Sequence, residues 1–524
     1  MSGEEAQPGG INDAGVVKKF SKDQRDALPG EPFCAVCGRY GEYVCDSTDD
    51  DVCSLECKAV LLVKRETPQT RLPVADECYY VRDTPGQSSF SNLPPDQVDF
   101  VRERLDILVK GHAVPAPVLS FYSCNIPRKL LNNLEAAGYD MPTPAQMQSI
   151  PALLAGRNMI VSASTGSGKT ASYLIPIISL CANWPSIQIQ KSHSPRCRTP
   201  LAIVLAPTRE LCIQIEDEAK LLGKGLQFKT ALVVGGDALA GQIHRICQGV
   251  ELIVGTPGRL IDLLSKYDVK LDDVRIFVLD EVDCLLQKGF REQVLQIFIA
   301  LSQPQLFMCS ATISSEVGNM ASSLARDFVY VSIGQPNEPN KAVRQTAIWV
   351  ESKQKKRKLF EILMSKQHFR PPAVVYVGSR LGADLLSNAI TVTTGLKAFS
   401  IHGEKTMKER REVMSSFLVG EVAVLVSTGI LGRGLDLFSV RQVIIFDMPN
   451  SISEYIHQIG RASRIGEEGT AIVFVNDENK NLFPEFVDIL KSSGAPVPRE
   501  LLNSRYALRS SVGIKSSRKR KQIS

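Results

Sequence analysis

The most restrictive feature of this chain is a short apolar strand, Met159–Ala163, that runs directly into Ser164-Thr165-Gly166-Ser167-Gly168-Lys169-Thr170. A glycine-rich loop between a strand and a helix aims backbone N–H groups at phosphate oxygens, and the helix N-terminus adds its positive end. Lys169 is expected to reach the β- and γ-phosphates of a nucleotide and Thr170 to hold Mg2+. Ala163 departs from the full pattern, which has a glycine there. In parallel α/β sheets ligands bind beyond the carboxyl ends of the strands, so the residues after each apolar run are the ones to inspect.

The runs recur with that spacing. Strands are expected at Met159–Ala163, Leu201–Ala206, Ala231–Val234, Leu252–Val254, Ile276–Leu279 and Leu306–Cys309, alternating with helical stretches. After a turn-rich linker, Gly334–Asn340, a second series follows at Ala373–Val377, Ala398–Ile401, Val422–Ser427, Gln442–Phe446 and Ala471–Val475. The fold class is therefore α/β, with two doubly wound parallel-sheet domains in tandem at 121–335 and 341–490. No apolar run approaches the ~20 residues of a membrane span.

The strand Ile276–Leu279 leads into Asp280-Glu281-Val282-Asp283. Carboxylates at the end of a buried strand are costly unless a cation or hydrogen bonds compensate them. Asp280 can hold Mg2+ through water, and Glu281 can orient and deprotonate an attacking water. With an isolated Phe121, then Gly138-Tyr139-Asp140-Met141-Pro142-Thr143-Pro144-Ala145-Gln146, Pro207-Thr208-Arg209-Glu210-Leu211, Gly235-Gly236, Thr256-Pro257-Gly258-Arg259 and Ser310-Ala311-Thr312, the order of motifs resembles the core of the DEAD-box ATP-dependent RNA helicases.

That resemblance implies two tandem RecA-like domains and an RNA-dependent ATPase. It places Tyr139 and Gln146 at the adenine, Ser164, Thr165, Gly166, Ser167, Gly168, Lys169 and Thr170 at the phosphates, and Thr208, Arg209, Gly236, Thr256, Gly258 and Arg259 on an RNA backbone. Asp283, Ser310, Thr312 and His457 would couple the two ligands. In the second domain Ser427–Asp436 resembles the family's fifth motif, with Gly429 where aspartate is usual and Asp436 as a nucleotide contact. His457–Arg464 resembles the sixth, with Gln458 for arginine and Ser463 for glycine; both finger positions, Arg461 and Arg464, are intact. His402-Gly403-Glu404-Lys405 and Arg410 also fit, with Met407 in place of a glutamine. Contacts to phosphates and 2′-hydroxyls would make RNA binding sequence-independent. The resemblance admits either a helicase that unwinds short duplexes or remodels RNA–protein complexes, or an ATP-gated RNA clamp that turns over slowly as an assembly factor.

Of 13 cysteines, six lie between Cys34 and Cys78. Cys34 and Cys37 are separated by two residues, Cys53 and Cys57 by three, and fifteen lie between the pairs. Paired cysteines at such spacing suit a tetrahedral zinc site, and no histidine precedes His112 to complete a second one. Four thiolates, from Cys34, Cys37, Cys53 and Cys57, are expected to hold one Zn2+, with Cys45 outside the shell. The run resembles the HIT-type zinc finger, which implies a protein partner at residues 30–65. Residues 1–29 are expected to be disordered, 66–120 to form a linker region with one short amphipathic helix near Pro95–Lys110, and 491–524 a basic tail.

The net charge of +5 is carried by that tail. Seven Lys/Arg and no acid follow Leu501, leaving the rest of the chain at about −2. RNA contacts in the body must then come from placed groups rather than from a broad basic field. An acidic, glycine-rich N-terminus lacks a secretory or transit pattern, so the chain is expected in the nucleus or cytoplasm, its core monomeric, with Arg518-Lys519-Arg520-Lys521 as an import signal or an RNA tether.

Overall fold

The computed structural model describes residues 20–28, 31–45, 50–58, 61, 94–183, 199–267, 269–287, 289–335, 337–429, 440–462 and 468–507. The chain divides into two units, Met1–Asp83 and Thr84–Ser524.

In the first unit β1 (Tyr43–Val44) pairs antiparallel with β2 (Asp51–Val52). Its interior consists of Cys34, Cys45, Val52, Cys53 and Cys57, with Val36, Tyr43 and Leu61 packed against them. So small a core cannot by itself offset the ~1–2 kcal/mol of backbone entropy lost per ordered residue, and a unit of this size depends on a staple. Residues 20–28 were expected to belong to a disordered end; instead they fold onto this unit. Glu56 accepts hydrogen bonds from the Ser21 N–H (2.8 Å) and Oγ (2.9 Å), and Arg39 Nη1 donates to the Ser21 carbonyl at 2.6 Å. The Arg25 guanidinium lies 4.1 Å from the Tyr40 ring centroid and donates to both Glu31 oxygens. These contacts are polar and leave no hydrophobic period in the sequence.

The second unit holds two sheets. The first has eight strands: β3 (Ile107–Lys110), β4 (Asn158–Ser162), β5 (Ala202–Leu205), β6 (Thr230–Val233), β7 (Leu252–Gly255), β8 (Ile276–Asp280), β9 (Gln305–Ser310) and β10 (Phe328–Ile333). Their order is 3-10-4-9-8-5-7-6. All pairs are parallel except β3 with β10. The second has six parallel strands in the order 11-16-15-12-14-13. They are β11 (Val343–Trp349), β12 (Ala373–Tyr376), β13 (Ala398–Ile401), β14 (Val424–Ser427), β15 (Gln442–Ile445) and β16 (Gly469–Val475).

Side chains alternate between the faces, as the pleat requires. On β4, Met159 and Val161 enter one core and Ile160 the other; on β12, Val374 and Tyr376 face one side and Val375 its opposite. Helices cover both faces, which is why the strands read as continuous apolar runs. The fold is wider than the expected boundaries. Within the region read as linker, helix Pro95–Arg104 lies where a short helix was expected, but Ile107–Lys110 leave it as β3, which forms a sheet edge. At the other end Leu501 is fully buried, and Ala495, Val497, Tyr506 and Ala507 pack on the second core. The basic tail therefore begins beyond these residues, and Arg518–Lys521 lie outside the described ones.

Candidate functional site

In each sheet the parallel strands deliver their carboxyl ends to one edge, and the candidate residues gather there. Ser164–Thr170 follow β4, Thr208 and Arg209 follow β5, Gly235 and Gly236 follow β6, and Thr256–Arg259 follow β7. Asp280 ends β8 and Ser310 ends β9.

The phosphate loop is braced from the helix that precedes β4. Thr143 caps helix Pro144–Leu154 in a reciprocal capping box with Gln146. Thr143 Oγ1 also donates to the Ser167 carbonyl (2.7 Å), and Gln146 Nε2 donates to the Gly168 carbonyl (3.2 Å). Gln146 is buried, so its carboxamide anchors this loop in the structure rather than standing open toward a base. Gly168 has φ +84°, and a Cβ there would meet Gln146 Nε2 at 2.5 Å, so only glycine fits. Tyr139 donates its hydroxyl to Glu218 (2.6 Å) and presents an edge-on ring to Phe121. Lys169 begins helix Lys169–Asn183 and donates Nζ to the loop's own carbonyls, Ala163 (2.7 Å) and Ser164 (2.9 Å). Ser167 Oγ is buried without a hydrogen-bond partner among the described residues. A cradle whose ammonium is held by backbone carbonyls, with a hydroxyl unsatisfied among the described residues, fits a polyphosphate.

Glu281 sits at φ +50°, a left-handed conformation that costs a non-glycine residue of order 1–3 kcal/mol and marks functional sites. Its Oε2 is buried without a hydrogen-bond partner among the described residues. Asp280 accepts from Tyr173 Oη (2.7 Å), the Cys309 thiol (3.1 Å) and the Glu281 N–H (2.9 Å). Burial, and then the adjacent Glu281 charge, hold the Asp280 carboxyl above its ordinary range, while the Tyr173 and Cys309 donors pull the other way. A cation beside this carboxylate would remove that penalty, so the donor set suits a hard divalent ion.

Asp283 joins the two sheets. Ser310 Oγ and Thr312 Oγ1 donate to it from its own side, each at 2.6 Å, and Ser453 Oγ and His457 Nε2 reach it from the second domain, each at 2.9 Å. His457 Nδ1 lies 3.5 Å from Glu281 Oε2, and Arg461 Nη2 lies 4.0 Å from Glu281 Oε1. Gly460 approaches Thr165 of the phosphate loop so closely that a Cβ would stand 2.8 Å from its Oγ1. The expected finger Arg461 thus approaches the Glu281 carboxylate; Arg464 and Asp436 lie outside the described residues.

A second set of cross-domain contacts lies along the expected RNA residues. Arg410 forms a buried ion pair with Glu210, and Arg411 lies 3.8 Å from Asp237. The Arg209 guanidinium lies against Gly235 and Gly236, and Met407 Cγ against Gly236, which has φ +101°. Arg259 donates to Gln242 Oε1 (3.1 Å) and to the Asp237 carbonyl (2.7 Å). Thr208 caps helix Arg209–Leu222, Thr256 precedes helix Pro257–Lys266, and Gly258 faces Gln293. Sequence reasoning missed Tyr173, Cys309 and Ser453, which stand in no spaced pattern, and, although it named Glu210 and Arg410 within motifs, it missed their pairing, because each of these contacts reaches a distant chain segment.

In the first unit the sulfurs of Cys34, Cys37, Cys53 and Cys57 all lie within 4.8 Å of one another. Cys37 and Cys53 are 3.4 Å apart, Cys53 and Cys57 3.5 Å. Those spacings are near the ~3.8 Å edge of a tetrahedron with Zn–S bonds of ~2.3 Å, so the quartet fits Zn2+. Cys45 is buried but is not a member of that quartet. Burial would push the Cys34 thiol up, yet backbone N–H groups of Cys37, Val36 and Cys53 outweigh it and bring it down to about 7. Burial pushes Cys57 up, and its neighbour Cys53 pushes it further, as expected of thiols crowded without a cation.

Comparison with known proteins agrees with this geometry. Residues 143–320 match the DEAD/DEAH box helicase family, 354–466 the helicase conserved C-terminal domain, and 30–59 the HIT zinc finger. The chain is 64% identical over 490 residues to DEAD-box ATP-dependent RNA helicase 41 of Arabidopsis thaliana, covering 93% of this chain and 95% of that one. It is 59% identical over 533 residues to the protein of the same name from Oryza sativa subsp. japonica, covering 98% and 97%. The solved structure of S. cerevisiae Dbp5 bound to RNA and ADP BeF3 matches with a TM-score of 0.61 at 27% identity, over 72% of this chain and 95% of that one. Phosphate loop, carboxylate box, cross-cleft arginine and cysteine quartet thus stand together in a chain that belongs to the DEAD-box ATP-dependent RNA helicases and carries a HIT zinc finger.

Proposed function

We propose that this protein hydrolyses ATP when RNA lies across both sheets, and that closure of the cleft separates short duplexes or strips proteins from RNA. The observation that carries this reading is Asp283, on which Ser310, Thr312, Ser453 and His457 converge from both domains. A residue bonded this way makes the catalytic carboxylates sense whether the second domain is in place.

The work of each residue follows from its position. The backbone of Ser164–Gly168 cradles the phosphates and Lys169 exchanges its carbonyl partners for phosphate oxygens. Asp280 and Thr170 would hold Mg2+, which when bound would supply positive charge against the charge developing on the phosphates. Glu281 orients the attacking water and takes its proton. Arg461, joined by Arg464, offers guanidinium charge to the transferring phosphoryl group, a contribution worth ~10³ to 10⁵ in comparable enzymes. Thr208, Arg209, Gly236, Thr256, Gly258 and Arg259 form a polar row suited to one RNA backbone, which carries no base readout and favours RNA over DNA through the 2′-hydroxyl. The similar protein Dbp5 was solved bound to RNA and ADP BeF3, which supports RNA and nucleotide as the ligands.

The finger, with exposed Phe33, Val44 and Leu55, is assigned to a protein partner. The core is taken to act as a monomer and the protein to work in the nucleus or cytoplasm. Steady-state ATPase measured with and without RNA tests the reading. RNA-stimulated turnover is expected, and equal rates in both conditions would refute it; ATP-dependent RNA retention with negligible turnover would instead favour a clamp.

A further inference from the structure

The Asp280 carboxylate, at the end of β8, is gripped by two side chains from other elements. Tyr173 lies one helical turn after Lys169 on the helix that leaves the phosphate loop, so the two share a face. Cys309 is the strand partner of Asp280, in register between β8 and β9. Two positions earlier on β9, Phe307 lies on the same face as Cys309 and packs on the Tyr173 ring, with centroids 5.6 Å apart. Tyr173 and Cys309 are fully buried and Asp280 nearly so. The cluster around them is apolar, and a hydroxyl buried there costs free energy unless it is bonded. Phenylalanine would fill the same space without that cost, so packing alone does not call for tyrosine.

The contacts are divided between the two carboxylate oxygens. Tyr173 Oη donates to Oδ2 at 2.7 Å, while the Cys309 thiol at 3.1 Å and the Glu281 N–H at 2.9 Å donate to Oδ1. A carboxylate held at both oxygens from different elements cannot turn about its own axis. Three of its roughly four lone-pair sites are filled, which leaves one for a further partner. That vacancy suits a single-oxygen contact and excludes bidentate chelation. The distinction bears on the choice of metal, because Ca2+ accepts bidentate carboxylates in a flexible shell, whereas Mg2+ demands near-octahedral geometry and keeps several waters.

We propose that Tyr173 and Cys309 are positioning residues for Asp280: their hydroxyl and thiol hold its carboxylate to a single-oxygen contact and so make the nucleotide site prefer Mg2+ over Ca2+. Tyr173 adds a second restraint, since it ties the helix that carries Lys169 to the strand that carries Asp280, and one hydrogen bond thereby sets the phosphate lysine and the metal carboxylate in common register. The inference rests on the ATPase reading above and adds to it the residues that set metal selectivity.

The test measures binding of a fluorescent, non-hydrolysable ATP analogue to the full-length protein in saturating Mg2+, in saturating Ca2+ and in EDTA. Groups that orient a metal ligand are typically worth 10–100-fold in metal affinity or activity, so Tyr173→Phe, which keeps the ring and removes the hydroxyl, should reduce the gain in affinity due to Mg2+ about tenfold. The gain due to Ca2+ should change less than about threefold, and affinity in EDTA less than about twofold, because neither depends on a locked carboxylate. Cys309→Ala should act in the same direction, and Cys309→Ser, which restores a donor, should recover most of the loss. An unchanged Mg2+ gain in Tyr173→Phe would overturn the proposal. Equal losses for Mg2+ and Ca2+ would do so as well, since a merely structural defect does not tell the ions apart, and so would a Cys309→Ser variant no better than Cys309→Ala. A wild-type protein whose nucleotide affinity gains nothing from Mg2+ would instead refute the functional reading on which the proposal rests.

Discussion

Replacing His457 by alanine removes a donor that reaches Asp283 from the second domain, and the size of the effect can be worked from the structure. Asp283 is buried, and His457 Nε2 donates to it at 2.9 Å. A hydrogen bond to an ionised acceptor contributes ~1.5–3 kcal/mol. Asp283 keeps Ser310, Thr312, Ser453 and the Cys284 N–H, so no buried charge is stranded and the loss should stay near 2 kcal/mol. At ~1.4 kcal/mol per decade, that is about a 30-fold shift away from the closed arrangement of the two sheets. The assay is RNA affinity with and without a non-hydrolysable ATP analogue. The ratio of those affinities should fall about 30-fold, while ATP affinity in the absence of RNA changes less than about twofold, because the phosphate loop is untouched. An unchanged ratio would refute the role given to Asp283. Equal losses in RNA-free ATP binding would show that His457 supports the loop rather than closure.

Four further outcomes are expected. Glu281→Gln should retain ATP and RNA binding but abolish turnover, checked by pairing nucleotide-binding with ATPase measurements; residual hydrolysis at the wild-type rate would remove Glu281 as the base. Lys169→Ala should weaken nucleotide affinity itself, read by titration with a fluorescent ATP analogue. Cys53→Ser should release the finger's zinc, whereas Cys45→Ser should retain one equivalent by metal analysis, since Cys45 stands outside the quartet. Leu501→Ala should cost about 2–5 kcal/mol in denaturant unfolding of the second core, the range for a fully buried leucine; a near-zero cost would return this segment to the tail.

What could be read from the sequence divides along physical lines. Strands buried on both faces, such as Ala202–Leu205 and Ala373–Tyr376, announce themselves as apolar runs. Strands that lie nearer the margins do not: β3 reads Ile-Leu-Val-Lys, and β11 mixes Arg344, Gln345 and Thr346 into its length, so neither was among the expected strands. The candidate site was legible where chemistry demands contiguous residues, as in Ser164–Thr170 and Asp280–Asp283. It was not legible where the partner comes from another part of the fold. Tyr173 meets Asp280 across 107 positions and Ser453 meets Asp283 across 170. The latch of Ser21, Arg25 and Arg39 escaped for another reason, since hydrogen bonds and a cation over a ring have no period to detect.

The antiparallel strand β3 bears on where this helicase core can be cut. It lies N-terminal to every motif of the core, yet it hydrogen-bonds along β10 through Lys110–Ile107. A fragment starting at Phe121 would contain all the residues of chemistry and still expose the backbone of Tyr330–Ile333 as a bare strand edge. Such an edge recruits strands from other chains. Its failure would look like poor solubility rather than poor catalysis, and a fragment that begins ahead of helix Pro95–Arg104 avoids it.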